Sequence, residues 1–166
     1  MTDAESSPRK VLVAALGNPD RGDDGVGAAV AAKLAGRLPL GAEILTRRGG
    51  MLSLIDDWAG CDALVCVDAA AGATPGHIHR FDLAAEKLPR ELSFASSHAM
   101  GLPETIELAR VLDRAPERII VYAIEGRRFD AGAALSPDVS DAVTEAADRI
   151  VEEVSRLLSR CEVSSS

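Results

Sequence analysis

Short, wholly apolar runs alternate along the chain with segments whose apolar residues recur at helical spacing. Residues 11–16 and 63–67 carry no charged side chain, the pattern of central parallel strands covered on both faces. Between them, Val26, Ala29, Val30, Leu34 and Leu38 predict a helix over 26–38, closed by Pro39 and Gly41. A second strand over 42–46 and a short helix near 51–58 follow, and the third strand ends on Asp68. Residues 69–76 are small and turn-rich, with a reversal at Thr74-Pro75-Gly76, and 77–82 alternates like a partly exposed strand.

Beyond a variable loop to Ser97, Ile106, Ala109, Val111 and Leu112 predict a helix from Pro103 to near Ala115-Pro116. A strand over 118–124 then runs into Glu125-Gly126. Ser136-Pro137-Asp138 combines a serine N-cap, a proline at the first helical position and an acid in the first turn. Val139, Val143, Ala146, Ile150, Val154 and Leu157 continue it as one face of a long helix. Strands alternating with helices predict a doubly wound, three-layer α/β/α fold with a mostly parallel twisted sheet of about five strands. Residues 1–10 read as a disordered lead-in, 11–160 as a single α/β domain and 161–166 as a frayed tail.

In such sheets ligands bind beyond the carboxyl ends of the strands. That rule alone puts Asn18 to Asp24, Asp68 and Glu125 along one edge, with His98 in a loop that reaches it. Charge and cysteine usage narrow the partners. A net charge of −8 argues against nucleic acid and anionic membrane as partners. No apolar run approaches a membrane span, and the polar first ten residues lack the apolar centre of a signal peptide. Cys61, Cys66 and Cys161 form no CxxC pair, which fits reduced thiols in the cytoplasm.

The chemistry concentrates in Gly17-Asn18-Pro19-Asp20-Arg21-Gly22-Asp23-Asp24-Gly25-Val26-Gly27. Its glycines permit close backbone approach, and its carboxylates repel one another in a way a cation relieves. The glycine order is wrong for a dinucleotide fingerprint, and the acids would face the phosphates. An EF-hand starting at Asp20 fails because its third and twelfth positions are Gly22 and Ala31. Ser96 or Ser97 beside His98 lacks the Gly-x-Ser-x-Gly elbow of a serine hydrolase.

What survives is Asp24, Asp68 and His98, a donor set suited to zinc, nickel or manganese with positions left open for water or a carbonyl. Each has a plainer reading. Asp24 suits a helix N-terminus, Asp68 can cap the next turn, and a lone histidine is an ordinary loop residue. Their convergence on one edge favours the joint site. His77 and His79 share a strand face, but with no further ligand nearby in sequence they read as a solvent-facing pair. Arg47-Arg48 and Arg127-Arg128 read as solvated surface that can also grip an anionic or carbonyl-rich peptide.

Taken together, these motifs resemble the [NiFe] hydrogenase maturation endopeptidases. The resemblance rests on Gly17-Asn18 followed by Asp23-Asp24-Gly25-Val26-Gly27, and on the strand Ala63-Leu64-Val65-Cys66-Val67-Asp68. It continues through His98-Ala99-Met100-Gly101-Leu102, Ile124-Glu125-Gly126 and Leu135-Ser136-Pro137, and spans about residues 11–158. It implies a twisted sheet between helix layers, with Asp24, Asp68 and His98 as both metal-contacting and catalytic residues. The implied activity is a single cut removing the C-terminal extension of a hydrogenase large-subunit precursor. The implied nickel is supplied by that precursor, and no organic cofactor is expected. Where many members carry Gly-Gly-Thr after the second strand, this chain has Arg47-Arg48-Gly49-Gly50-Met51. Two alternatives stand beside this: a non-catalytic, nickel-dependent checkpoint that binds the precursor, and a phosphoacceptor receiver domain. The receiver needs a lysine after the last strand, where Ile124-Glu125-Gly126 offers none.

Overall fold

The computed structural model describes residues 10–49, 51–89, 92–94 and 101–164. The lead-in over 1–9, Ser96, Ser97, His98 and the last two residues of the tail lie outside them. In chain order the elements begin β1 (Val11–Leu16), a 3-10 turn (Gly22–Gly25), α1 (Val26–Leu34), β2 (Ala42–Arg47), α2 (Ser53–Asp57) and β3 (Ala63–Ala71). They continue with β4 (Ile78–Asp82), β5 (Ser93–Phe94), α3 (Leu102–Val111), β6 (Arg118–Gly126) and α4 (Pro137–Ser164).

The sheet runs β2-β1-β3-β6-β4, with β5 pairing β3 off the main path, so it has six strands rather than about five. β1, β2, β3 and β6 are mutually parallel, while β4 and β5 pair antiparallel with β6 and β3. Two apolar layers form the core because side chains alternate between the faces of each strand. On one face Val30 and Leu34 of α1 and Val143, Ile150 and Val154 of α4 cover Val13, Val65, Tyr122 and Ile124. On the other, Leu54 and Trp58 and Leu102 and Ile106 cover Leu12, Ala14, Cys66 and Val121. Burial pushes the Cys66 thiol pKa up, which keeps it an inert core group.

A buried polar cluster fastens α4 to the sheet. Glu153 accepts from Arg80 Nε at 2.6 Å and from the Tyr122 hydroxyl at 2.7 Å. Burial alone would raise the Glu153 pKa, but these hydrogen bonds and the charges of Arg80 and Arg156 bring it below the ordinary value.

Several boundaries differ from the sequence expectation. α1 ends at Leu34 rather than near 38, because Ala35 turns extended and Gly36 takes a φ of 77°. α3 ends at Val111, just ahead of Asp113 in the left-handed region at φ 57°. β3 runs three residues past its expected end, so Asp68 lies inside the strand and does not cap a turn. Asp68-Ala69-Ala70-Ala71 has weak strand propensity on its own. β6 supplies the pairing, from Asp68↔Ala123 to Ala71↔Gly126, and β5 pairs with Ala70 and Ala71 from the other side. The tail was expected to fray from 161, but α4 extends to Ser164.

Candidate active site at the carboxyl edge of the sheet

The strand order makes a crevice where chemistry is expected. β1 connects through α1 to β2 on one side, and the chain then crosses through α2 to β3 on the other side of β1. Such a reversal opens a cleft between the carboxyl ends of the two strands. β1 stops at Leu16 while β3 continues to Ala71, so β3 runs on past the end of β1. The 3-10 turn Gly22–Gly25 packs into the region next to β3.

Two adjacent acids of that turn have opposite surroundings. Asp23 is fully buried and saturated: it accepts from the N–H groups of Arg127 (2.9 Å), Arg128 (3.0 Å) and Ser136 (2.7 Å), and from the Ser136 hydroxyl (2.8 Å). Burial alone would raise its pKa, but these hydrogen bonds hold it below the ordinary carboxylate value. In return, Asp23 N–H donates to the Arg128 carbonyl at 2.7 Å and Gly22 N–H to the Ala133 carbonyl at 3.1 Å. Asp23 is therefore the clamp between the first loop and the β6–α4 connection. Ser136, expected as a helix cap, spends its hydroxyl proton on this clamp.

Asp24 is also buried, at 4% exposure, yet only half satisfied. Its Oδ2 accepts the Asn18 N–H at 3.0 Å, while Oδ1 is buried with no hydrogen-bond partner among the described residues. Leaving a buried polar atom unpaired costs about 1–3 kcal/mol, more for a charged group. Asp24 thus offers a fixed, desolvated oxygen to an arriving positive charge or proton donor. Its carboxylate lies against Gly17, whose φ of 118° suits glycine and where a Cβ would fall 2.7 Å from Oδ1 and 2.1 Å from the Asp24 carbonyl oxygen. The loop folds this tightly only because no side chain stands there.

Asp68, the second expected acid, lies on β3. Ala15 pairs with Val67, so one step further Leu16 stands level with Asp68, and Gly17 lies just beyond. Asp68 is fully buried and accepts the Ala69 N–H at 2.8 Å on Oδ1. It shares its strand face with Cys66 and Ala70, the face covered by α2 and α3. His98, the third expected member, lies outside the described residues.

The arginine pairs divide. Arg47, half-buried, forms an ion pair with Asp57, and Arg48 reaches Asp20 at 3.3 Å on the exposed surface. Arg127 and Arg128 contribute backbone N–H groups to the Asp23 clamp. A cavity of about 820 Å³ lies elsewhere, between α3 and the segment over 83–94, and neither Asp24 nor Asp68 lines it.

Sequence reasoning missed one grouping. His77 and His79 were expected to face solvent with nothing to complete a site, but Glu125 stands with them. Glu125 Oε2 is 2.7 Å from His79 Nε2, and its Oε1 accepts the Thr74 N–H at 3.1 Å. Burial alone would raise the Glu125 pKa, but the His79 hydrogen bond, the Thr74 N–H and the neighbouring imidazoles bring it below the ordinary value. The available signal was the His-x-His spacing on one strand face. The antiparallel pairing that brings Glu125 across from it is not written in local sequence.

The fold defines an α/β protein with buried acids on the β1 loop and on β3, the strands that flank a topological switch point. Residues 48–153 match the family model for HycI, hydrogenase maturation protease. The chain belongs to the hydrogenase maturation protease family, and as a member it is a peptidase. No curated protein sequence matches it. Among solved structures, it is similar to the hydrogenase maturating endopeptidase HybD from E. coli, with 21% identity and a TM-score of 0.72 over 89% of this chain and 93% of that one. The [NiFe] hydrogenase maturation protease HybD from Thermococcus kodakarensis is 29% identical, with a TM-score of 0.69 over 87% of this chain and 98% of that one. HycI from Thermococcus kodakarensis KOD1 is 23% identical, with a TM-score of 0.70 over 92% and 97% of the two chains. Family membership sets aside the receiver and the non-catalytic checkpoint.

Proposed function

We propose that this peptidase makes one endoproteolytic cut in the large-subunit precursor of a [NiFe] hydrogenase, releasing its C-terminal extension after nickel has been inserted. Asp24, Asp68 and His98 are the residues we assign to the cut. The observation that carries the proposal is the buried Asp24 Oδ1, without a hydrogen-bond partner among the described residues, in the loop that follows β1, the strand paired with the one that bears Asp68. An oxygen held without a donor fits a cation that arrives with the substrate, and two carboxylates with an imidazole suit a borderline ion such as nickel. The nickel is part of the substrate on this reading. Bound there, it brings Lewis acidity to the neighbourhood of the scissile carbonyl.

The chain's own groups supply the rest. Asn18 N–H fixes the Asp24 carboxylate, Ala69 N–H fixes that of Asp68, and the missing side chain at Gly17 lets the Asp24 carboxylate pack against the loop backbone. Holding the ion and accepting a proton from water are both within the chemistry of these two acids. The reaction is placed in the cytoplasm, without nucleic acid, membrane or organic cofactor. No helix among the described residues is long and apolar enough to cross a membrane.

The test is incubation of the protein with nickel-loaded and nickel-free precursor, followed by intact mass of the large subunit. Loss of a C-terminal peptide from the loaded form alone is expected. Equal cutting of both forms, or of neither, would overturn the nickel-dependent assignment.

A further inference from the structure

We propose that His77, His79 and Glu125 bind a divalent transition-metal cation that belongs to this protein, at a site separate from the one assigned to the substrate's nickel. The inference stands on these three side chains and does not depend on the cleavage reaction. β4 pairs antiparallel with β6 in the register Ile78↔Ile124 and His79↔Ala123. One step back, His77 comes opposite Glu125, whose N–H donates to the His77 carbonyl at 3.0 Å. Alternation along both strands puts the side chains of His77, His79, Ala123 and Glu125 on one face. Ala123 is the small residue of that row, so nothing bulky stands between the two histidines and β6.

Each of the three residues offers a ligand atom, and these atoms lie within 4.8 Å of one another. Donors around a tetrahedral ion at about 2.0–2.1 Å stand roughly 3.3 Å apart. The gap closes by rotating side chains, and His77 is free to do so because it is exposed. The other two are already positioned. His79 stacks parallel to the Phe81 ring, at 5.9 Å between centroids and 5° between planes. Glu125 is held by the Thr74 N–H through Oε1, which leaves Oε2 directed at His79. The connection from β3 to β4 closes over this carboxylate: a Cβ on Gly72 would fall 1.9 Å from Oε1. Backbone support for a ligating carboxylate is the usual way a protein fixes a metal's ligands.

Two imidazoles and one carboxylate select a borderline ion such as Zn²⁺, Co²⁺ or Ni²⁺ over Mg²⁺ or Ca²⁺. The exposed His77 side leaves coordination positions to water. The placement also matters. Ala123 pairs with His79 on one side and Asp68 on the other, so His79 and Asp68 flank one residue in a single row of the sheet. Two strand spacings separate their backbones by about 10 Å. An ion held by the histidines therefore sits on the same sheet face as Asp68, within reach of a peptide laid along that edge.

The test is metal binding, read by competition with a chromophoric chelator using Zn²⁺ and then Ni²⁺. The Asp24→Asn/Asp68→Asn double variant removes the acids assigned to cleavage and is expected to keep one equivalent of Zn²⁺. His77→Ala/His79→Ala is expected to lose that equivalent, and Glu125→Gln to weaken it by about 10–100-fold. Circular dichroism melting checks that each variant is folded, and His79→Gln replaces the alanine variant should it melt early. Binding of Zn²⁺ by the histidine variant equal to wild type would overturn the proposal, as would no binding by the Asp24→Asn/Asp68→Asn protein. Precursor cleavage is a separate readout, so failure of this site and failure of the proposed reaction are told apart.

Discussion

Asp23 and Ser136, 113 residues apart in sequence, share two hydrogen bonds: the Ser136 N–H donates to Oδ1 at 2.7 Å and its hydroxyl to Oδ2 at 2.8 Å. With the N–H groups of Arg127 and Arg128 on the same carboxylate, this clamp locks the loop after β1 to the end of β6 and the start of α4. Asp23→Ala leaves those buried donors unpaired. Removing the charged partner from a buried hydrogen-bonded network costs about 3–5 kcal/mol, and we expect a loss of that size. Urea denaturation measures it, and an unchanged midpoint would show that the clamp carries no stability.

Gly17 separates geometry from charge. Gly17→Ala brings a methyl group against Asp24 in a backbone conformation that favours glycine. The variant is expected to lose about 1–3 kcal/mol of stability from strain. It is also expected to lose cleavage by more than its folded fraction explains, because Asp24 is displaced. Wild-type cleavage of the precursor by a folded Gly17→Ala protein would show that the Asp24 position is not critical.

Acid sensitivity follows from three carboxylates. Asp23, Glu125 and Glu153 each have a folded pKa below the ordinary value, so the unfolded chain binds more protons as pH falls. Their stabilisation is complete above the unfolded values of 3.8 for Asp and 4.5 for Glu, and is lost as pH drops through the folded values. The urea midpoint is expected to stay nearly level from neutrality to about pH 5 and to fall below about pH 4. Glu153→Gln is expected to lower stability at neutral pH and to make the acid limb shallower. A limb of unchanged steepness would show that Glu153 does not contribute to it.

The sequence displayed the parts of the fold that local physics controls. Wholly apolar runs marked β1 and the first half of β3, and Ser136-Pro137-Asp138 marked the start of α4. It hid what depends on pairing at a distance. Asp68-Ala69-Ala70-Ala71 continues a strand only because β6 and β5 lie alongside, and the two-residue β5 has no periodicity to detect. For the candidate site, the edge rule pointed to both the first loop and the β3 acid, but it could not separate Asp24 from Asp23. Both are acids in one short loop. Only their partners among the described residues, four donors for one and an Oδ1 without any for the other, tell clamp from candidate ligand. Glu125 was visible as a strand-end acid, yet its place beside His77 and His79 required the register of β4 on β6.

The central claim is that Asp24 and Asp68 perform the cut. Its most direct test is the intact mass of a nickel-loaded large-subunit precursor after incubation with wild type, Asp24→Asn or Asp68→Asn. Wild type is expected to remove the C-terminal peptide, and each variant, melting as wild type does, to slow that removal by about 100-fold or more. Removal at the wild-type rate by both folded variants would contradict the account.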